Sequence, residues 1–259
     1  MTSDQLRAWR GDHTDGRMGI ILPVGAVEQH GAHLPVTCDV DIAEGAADAL
    51  ARTVSDRAPY ALWAAPAVAY GPVPGADLTA GTSSVSFDAI GTYLAAAVAG
   101  FLATGDWDYL ILINAHAHNH GRVIEASSRA FVQYRRPVLV LQIYDYLHLA
   151  DALGLAPDAH AGEREIALHH HYTGRQPTEG IVPVRERRPR PPSIYGLDLL
   201  PRTLGGIAAS APPSLARAVA AAAEFGSRVD AALATRALAD LDAYFTHWHG
   251  APEDRGALP

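Results

Sequence analysis

Glu28 and His30 stand two residues apart in the run GAVEQHGAHLP, which spans residues 25–35. In an extended segment, residues i and i+2 point to the same side. A carboxylate and an imidazole can therefore converge there on one cation. Asp39 lies 11 residues beyond Glu28, far enough for the chain to turn back. Its two oxygens could bridge two ions. Mixed imidazole and carboxylate donors suit zinc, manganese or iron. The competing interpretation is a polar loop followed by a helix cap, with Asp39 or Asp41 as the cap. For Asp41 the cap is the preferred reading. His33 is expected to support a ligand rather than to ligate.

A second cluster follows the apolar run YLILI. It reads NAHAHNHG over residues 114–121 and places His116, His118 and His120 at alternate positions. If that segment is extended, the three rings share a side. A lone histidine is usually a satisfied structural group, but three in five residues point to metal or proton chemistry. Histidine is also abundant overall, with 13 copies.

Short apolar runs and Ala-rich stretches alternate around these clusters, and their pattern predicts the elements that hold them. Gly19 to Val24, part of Tyr60 to Tyr70, Tyr109 to Ile113 and Val138 to Ile143 read as strands. Helices are predicted from Asp41 to Val54, Ser86 to Thr104, about Arg122 to Val132, Glu163 to Tyr172 and about Ser214 to Tyr244, the last either whole or broken in two. Ser86 is the expected cap of its helix. Strand–helix alternation predicts an α/β fold of three layers, a mostly parallel central sheet with helices on both faces. Runs that are continuously apolar agree with strands buried on both sides. In such sheets ligands bind beyond the carboxyl ends of the strands, where both clusters fall. One domain over 1–259 is the economical reading.

Composition narrows the function. The net charge of -8 excludes a basic nucleic-acid footprint. The basic run Arg185 to Arg190 and the Pro-rich stretch Arg188 to Ser193 read as a solvated excursion. A single cysteine, Cys38, rules out an intrachain disulfide. The polar N-terminus lacks the apolar core of a secretory signal, and no apolar run is long enough for a bilayer. A cytoplasmic protein is expected, without membrane or nucleic-acid partners. No G-x-G-x-x-G follows the first strand, which argues against a dinucleotide site.

Three motifs together resemble the creatininase (creatinine amidohydrolase) family. The first is P-x-G-x-x-E-Q-H-G-x-H-L-P with a following T-D, met here as Pro23 to Pro35 and then Cys38 and Asp39. The second, N-G-H-G-G-N or a variant, is met as Asn114, His116, His118 and Asn119. The third, H-A-G-x-x-E-T-S, is met as His160, Ala161, Gly162 and Glu165. The resemblance runs from Gly19 to about Gly226.

The resemblance implies a two-metal site that hydrolyses C–N bonds in a small-molecule substrate, and a homo-oligomer, often a hexamer. Glu28, His30, Asp39 and His116 match the family's metal ligands, with Asp39 bridging. His118 stands where creatinine amidohydrolase has a Glu; it can ligate but carries no charge. His160, Glu165 and Glu163 are the candidates for moving a proton to the leaving nitrogen. For Glu163 an exposed charge at a helix N-terminus is the competing interpretation, and Glu165 has ligation as its alternative. Cys38 replaces the usual Thr and reads as a packed thiol. Residues Ile166 and Ala167 replace T-S, and the E-H pair that many relatives carry before G-T is absent. Tyr144, Asp145 and Tyr146 stand after the fourth strand, where the tryptophans associated with creatinine have no obvious counterpart. The triplet His169, His170 and His171 reads mainly as surface or subunit contact, although His169 stands one turn beyond Glu165 and can share its face, and His247 and His249 read as incidental. Two other readings stay open: a peptidase of a peptide-derived cofactor pathway of the mycofactocin type, and a lyase, cyclase or non-hydrolytic binder of a small ligand.

Overall fold

The apolar run after Arg17 forms the middle of a sheet because it can be covered on both sides. The computed structural model describes residues 2–12, 16–74, 80–157, 160–178 and 213–247. Within it β1 (Arg17–Val24) lies between β2 (Tyr60–Ala64) and β3 (Tyr109–Asn114), and β4 (Val138–Gln142) pairs with the far side of β3. All the ladders are parallel. Gly19 sits opposite both Leu62 and Tyr109, and Leu112 opposite both Leu22 and Val140.

Parallel neighbours need a crossover, and a helix supplies each one: α2 (Cys38–Ser55), α3 (Phe87–Ala103) and α4 (His120–Tyr134). A polar helix α1 (Ser3–Asp12) precedes the sheet, α5 (Glu163–Thr173) follows it, and α6 (Leu215–His247) runs unbroken near the end. All six residues of β3 are buried. Tyr109, Ile111 and Ile113 face a core shared with Ile42, Leu50, Ile166 and Phe225 of α2, α5 and α6. Leu110 and Leu112 face the opposite core, with Ile90 and Leu94 of α3 and Val123 of α4. This is the expected three-layer α/β architecture with helices on both faces. Each buried Leu or Ile contributes about 1.5–3 kcal/mol, so the strand ends form a rigid base for the loops beyond them.

The boundaries differ from the sequence pattern in places that matter. Helix α2 begins at Cys38, not Asp41, with Thr37 at its N-cap. Asp39 and Asp41 therefore both lie in its first turn, and Asp41 is not the cap. Ser86 does cap α3, accepting a hydrogen bond from the Ala89 N–H at 3.1 Å. Strand β4 stops at Gln142 and a 3-10 segment (Ile143–Leu153) takes over. Helix α1 has no apolar periodicity that would predict it; Trp9 meets Trp63 edge-on at 5.5 Å and holds it to the sheet. Helix α6 lays Ala218, Ala222, Phe225, Val229 and Leu233 into the core. None of the described helices is long and apolar enough to cross a membrane. The predicted excursion over Arg185 to Ser193, and His249, lie outside the described residues.

Candidate metal centre

The exit from β1 folds back on itself. The Gly25 N–H donates to the Val68 carbonyl at 2.9 Å, and the Glu28 N–H to the Val36 carbonyl at 3.0 Å. That return sets Glu28 and His30 over the first turn of α2, where Asp39 waits. A Cβ at Gly25 would lie 2.7 Å from the Val40 nitrogen, so only glycine lets the strand exit pack onto that helix start. The positive end of the helix dipole favours a carboxylate there.

The exit from β3 is locked to the exit from β1 by two buried asparagines. Asn114 donates through Nδ2 to the His116 carbonyl at 2.8 Å and accepts the His116 N–H at 3.2 Å. Asn119 donates to the Gly25 carbonyl at 3.0 Å and to Asn114 Oδ1 at 3.2 Å. The sequence places both asparagines in the second motif, but their role as a clamp emerges only when Gly25 is brought to them.

Three imidazoles are each tied to a backbone carbonyl through one ring nitrogen. His30 Nδ1 donates to the Glu28 carbonyl at 3.0 Å, His116 Nε2 to the Pro72 carbonyl at 3.0 Å, and His160 Nε2 to the Gln29 carbonyl at 2.7 Å. A carbonyl only accepts, so those nitrogens must carry the hydrogen. The other nitrogen of each ring faces the carboxylates. His30 Nε2 lies 3.1 Å from Asp39 Oδ1, and His116 Nδ1 lies 2.9 Å from Asp39 Oδ2 and 3.2 Å from Glu28 Oε1. His160 Nδ1 is 3.6 Å from Glu28 Oε1. Pro72 had no signal in the sequence, since it acts through its backbone.

Glu165 enters from the third motif. Ala161 adopts a left-handed φ of 54°, and its N–H donates to Glu165 Oε2. The turn thereby points the carboxyl at His30, whose Nε2 lies 4.0 Å away. Such a strained residue is held only by its surroundings, here by the helix start that Glu165 occupies. The donor atoms of Glu28, Asp39 and His116 lie within 4.8 Å of one another, as do those of His30, Asp39 and Glu165, and of Glu28, His30 and His160. Asp39 belongs to two of these groups and presents one oxygen to each side.

Charge at this centre is tightly managed. Burial opposes protonation of His30, yet the Asp39 charge and hydrogen bond, with Glu165 and Glu28, raise it to about 10. Burial likewise opposes protonation of His116, and Asp39 and Glu28 raise it to about 10. Burial would push Asp39 up, but His30 and His116 hold its carboxyl far below the usual range. Burial raises Glu165, against the pull of His30 and His160. Burial also raises the Cys38 thiol, which is packed in the core and stays protonated.

Glu163 does not join the cluster. Its carboxylate accepts from the Ala156 N–H at 3.1 Å, the Ser214 N–H at 2.8 Å and Arg217 Nε at 2.8 Å, with Arg217 Nη2 on the other oxygen. It is buried rather than an exposed helix charge. Burial opposes its ionisation, while Arg217 and those N–H groups hold it below 4.5. Its stabilisation is therefore complete above the ordinary carboxylate value and lost as pH falls. Glu163→Gln is expected to lower stability by about 2 kcal/mol and to leave metal content unchanged. Thermal unfolding alongside metal analysis checks this; a proportional loss of metal would put Glu163 back at the centre.

The histidines after His116 do not alternate on one side, because the chain turns into a 3-10 segment (Ala117–Asn119) and then into α4 at His120. His118 lies beside His116, its ring tilted by 44° with centroids 5.2 Å apart, and its Nδ1 is buried without a partner among the described residues. It is outside the three donor groups, and His120 is exposed. His33 bonds the Thr178 carbonyl at 2.8 Å rather than any of the cluster's side chains. Of the triplet on α5, read mainly as surface or subunit contact, only His169 leaves the surface, while His170 and His171 are half-buried. His169 is buried and donates to Asp41 at 3.0 Å, His170 meets the Arg175 carbonyl at 2.9 Å, and His171 donates to Asp230 of α6 at 3.1 Å. His247 is exposed.

The family profile for creatininase, described as creatinine amidohydrolase, matches residues 1–239. The chain belongs to the creatininase family. Mycofactocin precursor peptide peptidases from two strains of Mycobacterium tuberculosis are each 36% identical over 116 residues, which is 41% of this chain and 43% of theirs. The match thus spans less than half the length of those curated relatives. Among solved structures, a creatinine amidohydrolase superposes with a TM-score of 0.62 at 22% identity over 92% of this chain and 93% of that one. A mutant creatininase complexed with creatine gives a TM-score of 0.62 at 22% identity over 94% and 95% of the two chains. At such identities the likeness is one of fold, and the creatininase fold is the one seen here.

Proposed function

We propose that the protein is a metal-dependent amidohydrolase that cleaves an amide C–N bond, open or cyclic, in a small molecule. One observation carries this reading. Asp39 is buried with its two oxygens facing two different imidazole nitrogens, and it belongs to two groups of three convergent donors. The donor set suits a divalent ion, because each tethered ring keeps a lone pair for the site while its other nitrogen fixes its orientation. Zinc, manganese and iron accept such ligands, and creatininase structures described with Mn and as a Zn-Zn type support the first two. In this reading Glu28, Asp39 and His116 hold one ion, and His30, Asp39 and Glu165 hold a second. His118, against His116, is the further donor available on the first side.

A divalent ion held there supplies Lewis acidity, which polarises an amide carbonyl and makes water a nucleophile near neutral pH. The chain's own part is to orient the substrate and move a proton. Water adds its oxygen to the carbonyl carbon, the C–N bond breaks, and the amine leaves with a proton. His160, whose Nε2 is tied to the Gln29 carbonyl and whose Nδ1 lies 3.6 Å from Glu28 Oε1, is placed to take a proton from the attacking water on Nδ1 and hand it to the leaving nitrogen.

A second reading, cleavage of a peptide bond in a peptide-derived cofactor precursor, is favoured by the 36% identity to the mycofactocin precursor peptide peptidases. Metal analysis of chain purified without chelator, followed by turnover of creatinine, other small cyclic amides and short peptides, separates the readings. Bound zinc, manganese or iron with release of amine from a small amide is the expected result. Turnover of peptides alone would favour the second reading. No metal and no turnover would favour a small-ligand binder, and full turnover in both Glu28→Gln and His116→Ala would sink the metal mechanism.

A further inference from the structure

The two ligand groups that share Asp39 draw on different elements. Glu28, Asp39 and His116 come from the β1 exit, the first turn of α2 and the β3 exit. His30, Asp39 and Glu165 bring in α5, which supplies nothing to the first group. The second group therefore depends on how α5 is seated against α2. Ligands must be held to within about 0.5 Å of a working geometry by the groups around them.

Three close approaches join these helices, in the same order along both. First, the donor atoms of Asp39 and Glu165 lie within 4.8 Å of each other. Next, His169 Nε2 lies 3.0 Å from Asp41 Oδ2. Further on, Gly45 passes so near Tyr172 that a Cβ there would lie 2.3 Å from the Tyr172 Cβ. Residues four apart share a helix face, so His169 stands one turn above Glu165 on the side that meets α2. The His169 to Asp41 contact is thus the polar bond nearest the ligand pair, and the bare backbone contact at Gly45 lies beyond it.

That bond is built into both helices. His169 is buried, and an ionised carboxylate only accepts, so Nε2 carries the hydrogen. Thr37 Oγ1 donates to the same Asp41 oxygen at 3.2 Å, and Arg175 Nη1 lies 3.4 Å from it. Thr37 is the N-cap of α2, so Asp41 is fastened to the start of its own helix as well as to α5. His169 itself stays outside the three donor groups. His171 and Tyr172 differ: both meet Asp230, at 3.1 and 2.9 Å, and tie α5 to α6 instead of to the helix that carries Asp39.

We infer that His169 is a positioning residue: through its bond to Asp41 it sets Glu165 against Asp39 and so fixes the seat of the second ion. The inference rests on the two-ion reading above. Manganese alone is the probe, because two manganese ions bridged by one carboxylate give a coupled-pair EPR signal that an isolated ion does not. The metal-free full chain and the variants His169→Phe, His169→Gln, Asp41→Ala and Asp230→Ala are titrated with manganese at one pH. Calorimetry counts the ions and EPR follows the coupling. Phe fills the buried volume without a donor, Gln carries an N–H in place of Nε2, and Asp41→Ala removes the acceptor should His169→Phe fail to fold. His169→Phe and Asp41→Ala are expected to take the first ion as wild type does and the second about tenfold more weakly or worse, with the coupled signal reduced at matched manganese. His169→Gln should restore both readouts, and Asp230→Ala should bind both ions as wild type does whatever its Tm. A second ion bound with wild-type affinity in His169→Phe or Asp41→Ala, equal weakening of both ions, or the same loss in Asp230→Ala would overturn the role of His169 alone. A wild-type chain that takes up fewer than two ions would overturn the two-ion reading itself, and this role with it.

Discussion

Asp39→Asn is expected to empty both halves of the centre and to cost at least about 10³-fold in kcat/KM, or about 4 kcal/mol of transition-state stabilisation. The substitution keeps the shape of the side chain and the first turn of α2, so the fold is preserved. It removes the negative charge that Asp39 presents to His30 on one oxygen and to His116 on the other. It also turns one of those acceptors into an NH2 group, which meets a ring nitrogen that should bind an ion. His116→Ala differs in kind: it breaks the group with Glu28 and Asp39 but leaves His30, Asp39 and Glu165 in place. Metal analysis should therefore find Asp39→Asn nearly metal-free and His116→Ala with part of its metal. Unchanged metal in Asp39→Asn would sink the shared role.

Metal affinity is expected to climb steeply with pH, by about tenfold per pH unit for each proton displaced. In the metal-free protein, burial opposes the charge on His30 and His116, yet the carboxylates around them hold both protonated to about 10. Each added proton occupies the ring nitrogen that faces the carboxylates, where an ion needs the lone pair. An ion must therefore compete with two protons and release them on binding. The same shift carries a stability consequence of the opposite slope. Because both folded values are raised above the ordinary 6.5, their stabilisation of the metal-free chain is complete below that pH and lost as pH rises through about 10. Calorimetry in buffers of different ionisation enthalpy reports the released protons, and thermal unfolding of metal-free chain reports the stability slope. Affinity that does not vary with pH would show that the rings are already free.

Some of this chemistry was legible in the chain because it is local. The i, i+2 spacing of Glu28 and His30 survives folding, since their donor atoms still converge, together with that of His160. His116 follows directly from a strand end, and buried strands are readable from continuous apolar runs. Thr37, Cys38 and Asp39 were harder. The start of α2 depends on the chain packing back through the Glu28 to Val36 hydrogen bond, so the helix begins earlier than its apolar period suggests and carries Asp39 within its first turn.

Other assignments had no local answer. Glu163 and Glu165 differ by two residues and so by about 200° around a helix. Nothing in the third motif says which one faces the metal centre. Arg217, brought in on α6 from 54 positions away, takes Glu163, and the turn at Ala161 takes Glu165. His118 and His120 looked equivalent to His116 only in an extended chain, and the 3-10 turn after His116 separates them. His169 is held by Asp41, a partner 128 positions away, which no local spacing shows. By itself, then, the sequence determined the parallel α/β frame, the strand ends where chemistry collects and the residue types of a metal centre, because periodicity and short spacings encode those. Only the tertiary structure decided which carboxylate turns inward and which ring nitrogen faces the carboxylates, because each depends on a partner that folding alone brings within hydrogen-bonding distance.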